Sequence, residues 1–146
     1  MQLSTGVRNY LMSDGALKSA LDGSVIRLYS GTAPVSANDA VPAGATELCV
    51  VSVDGNGTGI TFEASSQPGL LLKTAAEVWE GTVAANGTAT WFRVTTPADD
   101  GSASTTLLRL QGSVAQAGGD MQITNPDLVS GEPQRVDYLS IVMPAA

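Results

Sequence analysis

Asp54-Gly55-Asn56-Gly57-Thr58-Gly59 opens like a calcium loop, with oxygen-bearing side chains at alternate positions and glycine at the sixth. The twelfth position, where such a loop needs a bidentate glutamate, is Ser65. A tight glycine-rich hairpin is therefore the plainer reading. Glu63, Glu77 and Glu80 invite comparison with the paired carboxylates of a glycosidase, with Trp79 beside two of them. In a strand, however, Glu77 shares a face with Trp79 while Glu80 takes the opposite one, so the spacing builds no acid–base pair. Asp99-Asp100-Gly101 has no third carboxylate close by and reads as a solvated turn. A serine nucleophile needs a base, and the chain has no histidine. Lys18 and Lys73 are the only lysines, and neither sits in an S-x-x-K motif. Gly118-Gly119 lacks the strand–turn–helix context of a phosphate loop. No catalytic, cofactor-binding or metal-ligating residue is assigned, and no enzyme activity is expected.

Three arginines stand out because each falls inside an expected strand of a chain with few charges: Arg27, Arg93 and Arg109. They are expected to pair with Glu63, Glu77 or Asp137 across the solvent face of a sheet, or to reach an acidic neighbour. The chain carries 7 basic and 14 acidic residues, a net charge of −7, which argues against binding a nucleic-acid backbone. Charged residues make up only 14% of the chain against roughly 25% in soluble proteins, a surface that suits coverage by partners or a neutral, Thr-rich β protein. Cys49 lies in the apolar run Leu48-Cys49-Val50-Val51 and reads as a buried thiol. The opening Met1-Gln2-Leu3-Ser4-Thr5-Gly6 does not read as a signal peptide, so the sequons at Asn56 and Asn86 carry little weight. No apolar run is long enough to span a membrane, and no membrane partner is expected.

The elements that must position these residues are short. Residues 1–23 form a helical arm: Ser4 or Thr5 caps a helix presenting Val7, Tyr10 and Leu11, and 16–21 adds a second with Leu17, Ala20 and Leu21 inward. Gly23 suits the left-handed position after it. This arm packs on the domain or on a neighbour. From Ser24 the hydrophobic period becomes two, and residues 24–146 read as one domain. Strands are expected at 25–29, 47–53, 60–63, 70–73, 77–83, 88–95, 107–114, 121–124 and 135–143. A loop without periodicity spans 32–46, and Ala84-Ala85-Asn86-Gly87 carries a hairpin signal between the strands on either side. In the last strand Leu139, Ile141 and Met143 share one face and Tyr138 and Val142 the other, so it is expected in the centre or covered. About eight strands at ten-residue spacing predict a mainly β fold, a single-domain antiparallel β-sandwich or jelly roll with a short helical N-terminal segment.

Taken in order, Leu3-Ser4-Thr5-Gly6-Val7-Arg8-Asn9, Ile26-Arg27-Leu28-Tyr29-Ser30-Gly31, Asn56-Gly57-Thr58-Gly59-Ile60-Thr61-Phe62, Glu77-Val78-Trp79 and Gln111-Gly112-Ser113-Val114 resemble small virion structural proteins of tailed bacteriophages. The resemblance implies a β-rich cement or decoration protein on the capsid surface, made in the host cytoplasm and located in the virion. Its implied partners are the major capsid protein or other virion proteins, in a homo-oligomeric arrangement. A neck, tail or baseplate component is the alternative. A receptor- or carbohydrate-binding β-sandwich is another, using Trp79, Trp91 and Tyr138 as stacking platforms, although core packing suits the two tryptophans better. For docking, the expected contacts are Leu3, Val7, Tyr10 and Leu11 in the arm and Pro34, Val35, Val41 and Pro42 in the loop. Both stretches offer apolar groups with few charges outside the strand pattern. Removing residues 1–12 is expected to abolish docking and leave a folded sandwich.

Overall fold

Ser4 caps the first helix, its Oγ accepting from the Val7 N–H at 3.2 Å. The computed structural model describes residues 1–64 and 69–142. Strand β1 (Gln2–Leu3) leads into α1 (Thr5–Ser13) and α2 (Leu17–Leu21), which Gly23 closes with φ +86°. Then follow β2 (Val25–Tyr29), β3 (Glu47–Val53), β4 (Phe62–Ala64), β5 (Leu70–Lys73), β6 (Trp79–Thr82), β7 (Gly87–Thr88) and β8 (Trp91–Thr95). The chain ends with β9 (Leu110–Ala115), β10 (Met121–Gln122), β11 (Asp127–Leu128), β12 (Pro133–Arg135) and β13 (Ser140–Val142). Ser65 and Met143, which figured in the expected calcium loop and last strand, lie outside the described residues.

The protein is mainly β, with a large antiparallel sheet and two short helices, as expected. The large sheet runs β1-β9-β8-β2-β3-β6-β12, and β10 joins β9 in parallel. Two smaller sheets, β11-β7 and β13-β5-β4, complete the fold. Ile26, Leu28, Val51, Phe92, Val94, Leu110 and Val114 share one buried core with Phe62, Leu139 and Ile141 of the small-sheet region. One face of the large sheet is thus apolar and covered, as its period-two pattern requires.

The arm belongs to this core. Val7 and Leu21 are fully buried, Leu3 pairs with Leu110, and the Ser4 N–H donates to the Arg109 carbonyl at 2.9 Å. Gly6 sits so close to the Leu107 and Thr106 carbonyls that a Cβ would overlap both. Of the two surfaces the arm was expected to pack on, the domain or a neighbour, it is the domain that takes Val7 and Leu21 into its core.

Two strand expectations fail for identifiable reasons. Asn86-Gly87 does not join β6 to β8, because β6 pairs with β3 and β12 while β8 pairs with β2 and β9. Gly87 is not among the glycines with positive φ, so the turn lacks the backbone of a two-residue hairpin. Asn86 instead accepts from the Ser130 N–H at 2.7 Å. The expected strand at 135–143 breaks in two. β12 edges the large sheet, and β13 edges the small one beside β5, neither central nor covered on its outer face. Leu139 and Ile141 point into the core as expected, while Tyr138 and Val142 are 63% and 64% exposed.

Candidate functional site

The second face of the large sheet is polar, and the chain covers it. Cross-strand register places Arg27 opposite Arg93, Tyr29 opposite Trp91, and Arg93 opposite Gln111. Arg109 precedes β9 with the parity of Gln111 and so joins the same face. Arg93, Arg109, Gln111 and Trp91 are all buried, together with Asp99 from the following loop. This corrects the expectation of a solvent-facing arginine set. What lies over them is the aperiodic loop at 32–46.

That loop is held mainly through its backbone carbonyls. Gln111 Nε2 donates to Pro34 O and Gln2 Nε2 to Val35 O, both at 2.9 Å. Arg109 Nη1 reaches Ala37 O at 3.5 Å and Arg93 Nη2 reaches Asp39 O at 3.2 Å. Asn38 ties the loop to the start of α1, accepting from the Thr5 N–H and donating to Thr5 Oγ1, each at 2.8 Å. Val41 N–H closes the far side on Gly101 O at 2.8 Å. Only Ala37 of the loop is a buried apolar side chain. The loop is therefore a polar cover for a polar face.

Beneath it the ion pairs differ from those expected. Arg109 holds Asp99 with two hydrogen bonds, Nε to Oδ2 and Nη2 to Oδ1, each 2.6 Å. Thr95 Oγ1 donates to Oδ2, and the Gly101 N–H donates to Oδ1 at 2.8 Å. Burial raises the Asp99 pKa, but the Arg109, Thr95 and Gly101 donors outweigh it and hold the carboxyl down to about 2. Asp99 is thus a buried ion-pair partner and not part of a solvated turn; Asp100 keeps that role, accepting from Ser102. Arg27 pairs with Glu47 at 2.8 Å, in place of Glu63, Glu77 or Asp137. Burial, then the nearby Glu47 carboxylate, pushes the Tyr29 hydroxyl up to about 12. Tyr29 stacks on Trp91 with centroids 4.3 Å apart.

The expected docking residues separate into three groups. Val7 is fully buried in the core and cannot touch a partner, because the helix face carrying it packs on the sheet. Leu3, Tyr10, Leu11, Pro34, Val41 and Pro42 are half-buried. Val35 is 89% exposed, between two carbonyls fixed by Gln111 and Gln2. A second apolar surface, absent from the expected set, lies on the outer face of the small sheet. There exposed Val142 pairs with half-buried Leu70, and exposed Tyr138 precedes the strand.

Trp79 and Trp91 are each 1% exposed, which removes both as stacking platforms. Trp79 Nε1 donates to Glu77 Oε2 at 2.7 Å, and Glu80 turns away to Arg135 at 2.8 Å, in line with their strand parity. In the glycine loop after β3, Asn56 Oδ1 accepts from the Thr58 N–H at 2.9 Å and Val53 bridges Thr58, so a turn accounts for its pattern. Among the described residues no group of three or more His, Cys, Asp and Glu side chains is placed to hold a metal. No described helix is long and apolar enough to cross a membrane. Set against protein-family models, curated proteins and solved structures, the chain matches none.

Proposed function

We propose that this protein is a structural component of a tailed-bacteriophage virion, docking on the capsid surface as a cement or decoration protein through its 32–46 loop. The observation that carries the reading is the presentation of Val35. An apolar side chain stands in solvent on a loop whose carbonyls at 34, 35, 37 and 39 are each held by a side-chain donor of the body. A loop held in one conformation loses little entropy on binding, so a modest apolar contact retains most of its value. Repetition over a symmetric shell then multiplies that contact by avidity. Exposed Val142, paired with half-buried Leu70 at the edge of the small sheet, offers a second place for a neighbour, which a protein that bridges capsomers requires.

The experiment is binding to undecorated shells, with the bound copies counted. Val35→Asp should leave the melting temperature unchanged, because the side chain is exposed, and should reduce shell occupancy at least tenfold. Wild-type protein that binds tail or baseplate assemblies and ignores shells moves the protein to that station. Wild-type occupancy by Val35→Asp shows that the loop is not the docking element.

A further inference from the structure

Arg93 is a buried cation without a carboxylate. It is 1% exposed, and Nη2 meets only neutral acceptors, Gln111 Oε1 at 2.8 Å and Asp39 O at 3.2 Å. Its neighbours on this face have found their acids, Arg27 in Glu47 and Arg109 in Asp99. Arg93 Nε and Nη1 are buried and have no hydrogen-bond acceptor among the described residues; the same holds for Trp91 Nε1 and Arg27 Nε. These groups come from adjacent positions on one face of two paired strands. Arg27 and Arg93 are direct cross-strand partners, and the Arg93 guanidinium carbon lies 5.5 Å from the Trp91 ring centroid. Facing side chains in such a pair have Cβ atoms about 4.5–5.5 Å apart, so two like charges there repel unless something stands between them.

Every unpartnered group in this cluster is a donor, and among the described residues Arg93 has no carboxylate within ion-pair distance. We propose that the covered face binds a small monovalent anion of halide size beside Arg93 and Trp91. A water molecule answers this arrangement poorly, since it brings two hydrogens of its own to a rim of N–H groups and leaves the charge in place. An anion accepts from several N–H groups at once and neutralises the guanidinium where burial makes its charge most costly. Burial, followed by repulsion from Arg109, pulls the Arg93 pKa below the usual guanidinium value, and the more distant Asp99 and Asp39 carboxylates offset this only in part. A cleft of about 220 Å³ lined by Trp91, Gln111 and Pro34 adjoins the face, and its Asp120 carboxylate is paired with the N-terminal amine. Because Arg93 Nη2 also holds the Asp39 carbonyl, the anion would stiffen the covering loop as well as the sheet.

Bromide is the probe. Crystals of the wild-type protein soaked in sodium bromide should show an anomalous peak within hydrogen-bonding distance of Arg93 and Trp91. In solution the melting temperature should rise with bromide by a few degrees and then level off, at ionic strength held constant with sodium gluconate. Trp91→Phe, which removes one donor, should raise the half-saturating bromide concentration several-fold, and Arg93→Met should abolish the response. The crystallographic arm needs no variant, so it decides even if Arg93→Met fails to fold. A refined water with no anomalous peak overturns the proposal. So does a peak without a thermal response, which means binding at crystal concentration only, and so does a thermal response that survives in folded Arg93→Met.

Discussion

Replacing Asp99 by Asn tests whether the buried ion pair holds the polar face together. The carboxylate takes four donors: Arg109 Nε and Nη2, Thr95 Oγ1 and the Gly101 N–H. An amide of the same shape offers one oxygen, and it turns an NH₂ group toward donors that have nothing to give it. The substitution also leaves Arg109, fully buried, as a second uncompensated cation beside Arg93. Removing one partner of a buried pair costs about 3–5 kcal/mol, and no surface pair here carries that weight. With a urea dependence of about 1–3 kcal/mol per molar, the unfolding midpoint should fall by roughly 2 M at pH 7. Acid should reproduce part of the effect in the wild type. The Asp99 carboxyl titrates near about 2 in the folded protein, against about 4 unfolded. A depressed folded value gives stability that is complete above the unfolded pKa and is lost as pH falls from about 5 through 2, amounting to about 2 kcal/mol. Urea denaturation of both proteins between pH 7 and pH 2 is the assay. The two stability curves should converge as the pH drops. Equal midpoints at pH 7, or curves that stay parallel down to pH 2, would refute the reasoning.

Removing residues 1–12 should yield an unfolded or aggregating chain, because it deletes Val7 from the core and the Ser4 contacts with Arg109; circular dichroism with the strand signal intact would contradict this. Cys49 is buried, and burial, then Glu47, pushes its thiol up to about 11. It should therefore resist a thiol reagent at pH 8 in the folded protein and react fully in denaturant, and rapid native labelling would show that the β3 region opens.

The strands were legible because their signal is local. Ile26 and Leu28 alternate with Arg27 and Tyr29, Phe92 and Val94 with Trp91 and Arg93, and each pattern needs no knowledge of what lies opposite. Alternation says that one face is polar, and a polar face normally meets water. Here it meets a loop. The cover escaped notice in the sequence because nothing periodic marks it: residues 32–46 bind mainly through carbonyls that every residue possesses, and Asn38 and Ala37 are the few side chains that take part. Asp99 was misplaced for the same reason, as its partner Arg109 lies ten positions away across a turn whose shape the residue types do not specify.

One signal did point to the cover, and it sits on the strands. Tyr29 and Trp91 share the polar face with Arg27 and Arg93, and their cross-strand stack presents more apolar area than an open sheet leaves to solvent. A polar face that also carries large aromatics needs a lid able to satisfy both kinds of group. Fixed loop carbonyls supply acceptors for the arginines and Gln111, and Ala33 and Pro34 line a cleft with Trp91. The same demand explains why the loop can hold Val35 out in water: its backbone is committed inward, which leaves that side chain facing solvent.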